Sequence, residues 1–177
     1  MINIGIIGCG RIAQVRHIPE YAQNPDACIY GVYDINEERA VQVAAQYHSI
    51  PFRSYEELLA DPNIDAVSIC TANQSHCEIS VKALNAGKHV LCEKPMAVTY
   101  EECQAMVNVA HTTGKYLMIA QQERLLPVHV KAKELLKEAN WDPNTELDVV
   151  YYYTDQMTQD LMAIIQQYLA EVGIKMN

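Results

Sequence analysis

Strand-sized apolar runs alternate along this chain with amphipathic stretches of helical length, which predicts an α/β fold: a doubly wound, mainly parallel sheet with helices on both faces. Two further observations agree. A glycine-rich turn, Gly8-Cys9-Gly10-Arg11-Ile12-Ala13, separates the first apolar run from the first amphipathic one. Polar clusters follow the apolar runs ending at Cys70, Cys92 and Ala120, where the carboxyl ends of parallel strands would open to a ligand. The elements then read in order. Residues 2–7 form a buried strand and 11–23 a helix; 28–33 form a strand and 36–47 a helix capped by Asn36. Ser54 caps a short helix over 55–60, with Glu57 in capping-box position. Residues 66–70 are a strand, 74–86 a helix stopped by Gly87, and 89–92 a strand. Thr99 with Glu102 opens a helix that Gly114 ends, and 116–120 are a strand. A helix begins at Pro127 or Val128 and runs to about Glu138, followed by a strand over 147–153 and a helix over 156–171 stopped by Gly173.

The 177 residues suit one domain, with 128–177 as a helix-strand-helix added to the part formed by 1–127. Half the residues are apolar and 20% charged, the balance of a soluble globular chain. A net charge of −9 argues against a general nucleic-acid partner. The apolar runs are too short for a membrane span. Residues 1–7 lack a basic leader and an export cleavage site, so no signal peptide is read and a cytoplasmic location is expected. The six cysteines form no C-x-x-C and no zinc spacing, so free thiols and no metal site are expected. All six precede residue 104.

The G-x-G-x-x-A turn has a defined physical use. Gly8 permits the tight turn, Gly10 lets a pyrophosphate approach the backbone, and Ala13 keeps the helix close to the strand. Arg11 and Ile12 begin the helix whose N-terminal N–H groups and dipole favour an anion. Arg11 either leans toward the phosphates or is a solvated helix residue. Asp34 ends the next strand, 24 residues after Gly10. A carboxylate there accepts hydrogen bonds from the adenosine ribose hydroxyls and repels a 2′-phosphate, so the expected cofactor is NAD, with NADP disfavoured. Beyond the later strands lie Thr71-Ala72-Asn73-Gln74-Ser75-His76, Glu93-Lys94-Pro95 and Gln121-Gln122-Glu123-Arg124. The residues alone leave Glu93 and Lys94 open between a proton relay, a carbonyl polariser and a plain surface ion pair.

In order and spacing, the glycine turn, Asp34, the 71–76 segment and Glu93-Lys94-Pro95 resemble the amino-terminal half of the glucose–fructose oxidoreductase/inositol dehydrogenase (Gfo/Idh/MocA) family. The likeness spans about residues 1–127 and rests most on Glu93-Lys94-Pro95. It implies a Rossmann-like fold and NAD(P)-dependent oxidoreduction of sugars, polyols and their derivatives. It implies that Lys94 is the active-site lysine near the substrate hydroxyl. Glu93 and Pro95 would shape the turn under the nicotinamide, and Thr71, Asn73 and His76 would line the cofactor cleft. Ala72 stands where the family often has Pro. His76 also reads as a structural residue at a helix start.

The family's second half supplies the substrate pocket, and the residues after Arg124 carry no matching motif. Lys94 is then vestigial, and no native turnover is expected. The 130–177 segment instead resembles a piece of a periplasmic oligopeptide- or dipeptide-binding protein, with Asn140 where Gly usually precedes the aromatic residue. One helix face would carry Met157, Leu161, Ile164, Ile165, Tyr168 and Val172. The two resemblances meet near Pro127–Lys131, which suggests an engineered chimera whose added strand pairs at the sheet edge or covers an exposed face. Three readings stay open: an NAD(H)-binding module without a competent active site, a purely structural scaffold, and a dehydrogenase completed by oligomerisation; a face left by the missing domain would offer a surface for self-association.

Overall fold

A computed structural model describes residues 1–122, 126–142 and 144–147, and of the last stretch 162–163, 165–167, 169–170 and 173–176. The chain divides into two compact units, Met1–Ala120 and Gln121–Asn177.

The first unit is built on a six-stranded, wholly parallel sheet in the order β3-β2-β1-β4-β5-β6. Its strands are β1 (Ile2–Ile7), β2 (Ala27–Tyr33), β3 (Ile50–Pro51), β4 (Ala66–Ile69), β5 (His89–Cys92) and β6 (Leu117–Ile119). The helices between them are α1 (Ile18–Gln23), α2 (Glu37–Tyr47), α3 (Tyr55–Ala60), α4 (His76–Asn85) and α5 (Tyr100–Thr113). This is the doubly wound, Rossmann-like architecture that the alternation predicts.

Strand side chains alternate between faces, and the alternation builds two cores. Ile4, Ile6, Ile29 and Val32 pack with Ala13, Ile18, Val43 and Ala44 in one cluster. Ile7, Val67, Ile69 and Val90 pack with Leu58, Ile79, Leu84 and Met106 in the other. Each fully buried aliphatic side chain stabilises the fold by about 1.5–3 kcal/mol.

The caps fall where the sequence places them. Asn36 Oδ1 accepts the Arg39 N–H. Thr99 and Glu102 form a complete capping box, and Gly114 closes α5 in a left-handed conformation. Ser54 accepts the Glu57 N–H, but the Glu57 carboxylate reaches back to the Arg53 N–H, so this box is one residue wider than expected. Two departures matter more. A π-helical turn, Ala13–His17, interrupts the expected 11–23 helix. The short β3 was not foreseen, because two residues, Ile50 and Pro51, leave no period to read.

In the second unit, α6 (Pro127–Glu138) starts with Pro in its first turn. It ends with Asn140 at φ 50°, while the Trp141 N–H bonds the Leu136 carbonyl and the Asn140 N–H bonds that of Lys137. That is a Schellman cap with Asn in the place glycine favours. β7 (Glu146–Leu147) pairs in parallel with β8 (Lys175–Met176) in a sheet of its own. Of the strand expected over 147–153, either at the edge of the large sheet or over an exposed face, only Leu147 is described, and it pairs with Met176. The rest of the expected strand, 148–153, and most of the 156–171 helix, including Met157, Leu161, Ile164, Tyr168 and Val172, lie outside the described residues.

Candidate functional site

The carboxyl ends of β1, β2 and β4 open on a cleft of about 430 Å³. It brings together Gly8, Gly10, Asp34, Thr71 and Ala72 from the sequence-predicted set. Gly8 has φ +91°, and a Cβ on it would lie 2.7 Å from the Cys70 carbonyl oxygen, so the β1 turn passes too close to β4 for any side chain. A Cβ on Gly10 would meet nothing within 4 Å, so the backbone there faces open space. The first helical bond behind it runs from the Gln14 N–H to the Gly10 carbonyl. The N–H groups of Arg11, Ile12 and Ala13 thus precede the regular ladder, as an anion seat requires. Arg11 and Ile12 are exposed, while Ala13 is fully buried as the packing residue of the turn.

Asp34 does more than line the cleft. It is 5% exposed, its Oδ2 accepts the Cys9 N–H at 2.7 Å, and its Oδ1 accepts the Asn36 N–H at 2.8 Å. One carboxylate therefore clamps the glycine turn to the end of β2. Arg39 sits 3.3 Å away on the first turn of α2. Sequence reasoning missed Arg39, along with Ile35, Tyr55 and Ser75 on the cleft wall. An arginine on an amphipathic helix looks like any solvated cation until β2 and α2 are folded against each other. Burial, with the Asp34 charge adding to it, pushes the Cys9 thiol up to about 12, and burial does the same to Cys70, so both stay protonated beside the cleft.

At the end of β5, Glu93 and Lys94 part company. Glu93 is buried and bonded to His17 at 2.8 Å, whereas Lys94 is exposed. The surface ion pair considered from the sequence does not form, because the Glu93 carboxylate points inward. No partner for the Lys94 ammonium occurs among the described residues. The Lys94–Pro95 peptide bond is cis. Asn73 is exposed at the start of a 3-10 turn, Asn73–Ser75, and the Thr71 hydroxyl bonds that of Ser75 at 2.8 Å. His76 does not line the cleft, which corrects that expectation. Its ring is fully buried, with Nδ1 2.7 Å from the Pro95 carbonyl oxygen and Nε2 3.2 Å from that of Thr71. It is the structural histidine at a helix start that its position also suggested.

All six cysteines are free, and no group of metal-ligating side chains occurs among the described residues. No helix of the described residues is long and apolar enough to cross a membrane.

Residues 2–121 match the profile of the Gfo/Idh/MocA oxidoreductase family, described as an NAD-binding Rossmann fold. The chain belongs to that family. It is an NAD(P)-binding, Rossmann-fold oxidoreductase-family chain. Oxidoreductase P35 of Formosa agariphila is 33% identical over 76% of the chain and 42% of its own length. A scyllo-inositol 2-dehydrogenase (NADP(+)) of Bacillus subtilis is 37% identical over 77% of the chain and 41% of its own length. Among solved structures, the 3-ketoreductase KijD10 of Actinomadura kijaniata, in complex with NADP and TDP-benzene, superimposes with a TM-score of 0.72 at 30% identity. That match covers 77% of this chain and 42% of the other. The chain thus spans less than half the length of these relatives. An alignment over 77% of a 177-residue chain also has to reach past residues 127–131. The family likeness does not stop at that seam, and these relatives give no support to a join with a peptide-binding protein.

Proposed function

We propose that the chain binds NAD(H) along the carboxyl ends of its parallel strands, with the pyrophosphate over Gly10 and the adenosine ribose beside Asp34. The observation that carries this reading is the open space above Gly10 at the start of a helix, next to a buried carboxylate at the end of β2. NAD is preferred because Asp34 repels a 2′-phosphate. Arg39 offsets part of that charge, so the preference is moderate. Lys94 is exposed beyond β5, and its role toward the hydroxyl of a sugar- or polyol-like substrate is what the family resemblance implies. A lysine alone does not orient a hydride donor, and positioning supplies much of catalysis. The reading is therefore cofactor binding without dehydrogenase turnover by this chain acting alone.

The test is an NADH titration followed by cofactor fluorescence, on the wild-type chain and on Gly10→Ala. Gly10 has no positive φ and no crowding, so alanine leaves the melting temperature unchanged while its methyl group occupies the approach of the pyrophosphate. Saturable binding that falls at least about tenfold in the variant is expected. No binding by the wild type at millimolar NADH would leave a structural scaffold. Turnover of a polyol or sugar that disappears in Lys94→Ala would replace the module with a complete enzyme.

A further inference from the structure

β4 lies between β1 and β5 in the sheet, and a buried polar chain crosses behind it. The Ser68 hydroxyl on β4 is 2.9 Å from His17 Nδ1, and His17 Nε2 is 2.8 Å from Glu93 Oε1. The other Glu93 oxygen accepts the Lys94 N–H at 3.0 Å. His17, Ser68 and Glu93 are 6%, 0% and 5% exposed. Their separations of 51 and 76 residues make this a tertiary device with no local sequence signature.

The donor and acceptor capacities give the chain a direction. With Glu93 as a carboxylate and the ring neutral, His17 Nε2 carries the proton it shares with Glu93. Nδ1 then accepts from the Ser68 hydroxyl. Ser68, His17 and Glu93 thereby fix one ring tautomer and one carboxylate orientation. A set of apolar side chains would fill the same space at no lower stability, because burying a charge carries a large desolvation cost. The polar chain instead ends on the backbone of Lys94, the residue whose side chain faces solvent.

We propose that His17 is a positioning residue for Lys94. Acting through Glu93 it fixes the Lys94 backbone, and because it belongs to the helical segment opened by the glycine turn, it ties that backbone to the seat of the pyrophosphate. The inference rests on the cofactor reading above and goes beyond it in assigning a residue outside the cleft to the nicotinamide side.

The test compares two ligands, NADH and ADP-ribose, which lacks the nicotinamide, on the full chain. His17→Leu and Glu93→Gln are expected to weaken NADH about tenfold and to leave ADP-ribose within about twofold. His17→Gln keeps a donor toward Glu93 and restores NADH to within about threefold of wild type. The nitrogen-15 spectrum of His17 shows the Nε2–H tautomer. Glu93→Gln is nearly isosteric and carries the comparison if His17→Leu fails to fold. Equal losses for both ligands, no loss for either, or an Nδ1–H tautomer would overturn the assignment. A wild-type chain that binds neither ligand overturns the cofactor reading and this one with it, whereas binding without selective loss overturns this one alone.

Discussion

The glycine turn and the Glu93-Lys94-Pro95 loop stand at the ends of β1 and β5, with β4 between them, and they are held by different means. The turn is fixed by close backbone and one carboxylate at the end of the adjacent β2: the Gly8 N–H donates to the Tyr33 carbonyl, the Cys9 N–H to the Asp34 side chain, and Gly8 has no room for a side chain. The loop is fixed by two buried histidines, His17 on Glu93 and His76 on the Pro95 carbonyl. Gly8 therefore tolerates no side chain, while the loop depends on His17 and His76, neither of which is adjacent to it in sequence.

Substitutions can break this contrast. The largest effect is expected for Gly8→Val, which combines a positive φ with a clash against the Cys70 backbone; it should lower stability by at least about 4 kcal/mol, read as lost cooperative unfolding in a thermal melt. Asp34→Ala strands the Cys9 and Asn36 N–H groups and should lower stability by about 2–3 kcal/mol in urea, with Asp34→Asn retaining part of it. Arg39→Ala removes the cation beside Asp34 and should shift the ratio of NADH to NADPH affinity about fivefold toward NADH in paired titrations, with little change in melting temperature. Lys94→Ala should change stability by less than about 0.5 kcal/mol, because nothing among the described residues bonds its ammonium. A melt that placed Lys94→Ala beside Asp34→Ala would erase the distinction between a clamped turn and a presented side chain.

How much the sequence revealed follows the same division. The glycine turn, the Asn36 and Thr99 caps and the parallel sheet were legible because each depends on local spacing: a strand run, a turn residue, a carboxylate at a strand end. Asp34 was found, but its bonds to the turn were not, since spacing shows where a strand ends and not what its last side chain meets. His17 gave no signal at all. It lies on a helix whose period is broken by a π-turn, and its partners, Ser68 and Glu93, are named only when β4 and β5 are in place. His76 carried two readings, the cleft from the resemblance and a structural role from its place at a helix start, and the structure shows the second. Its position in a motif suggested the cleft, and tertiary packing turned its ring to two backbone carbonyls. The β7–β8 pair shows the limit for short strands, which carry too few residues for a period to be read.

Asp34 serves two tasks with one carboxylate, and that shapes how this lineage can change cofactor. A mutation at Asp34 that welcomed a 2′-phosphate would also loosen the turn, so most such variants would be purged for instability before their new preference could be selected. Arg39 carries no such burden. It sits on the same anion from an exposed helix and can be lost, lengthened or joined by a second cation at little structural expense. Adaptation between the two nicotinamide pools therefore has an open road through α2 and a steep one through the end of β2.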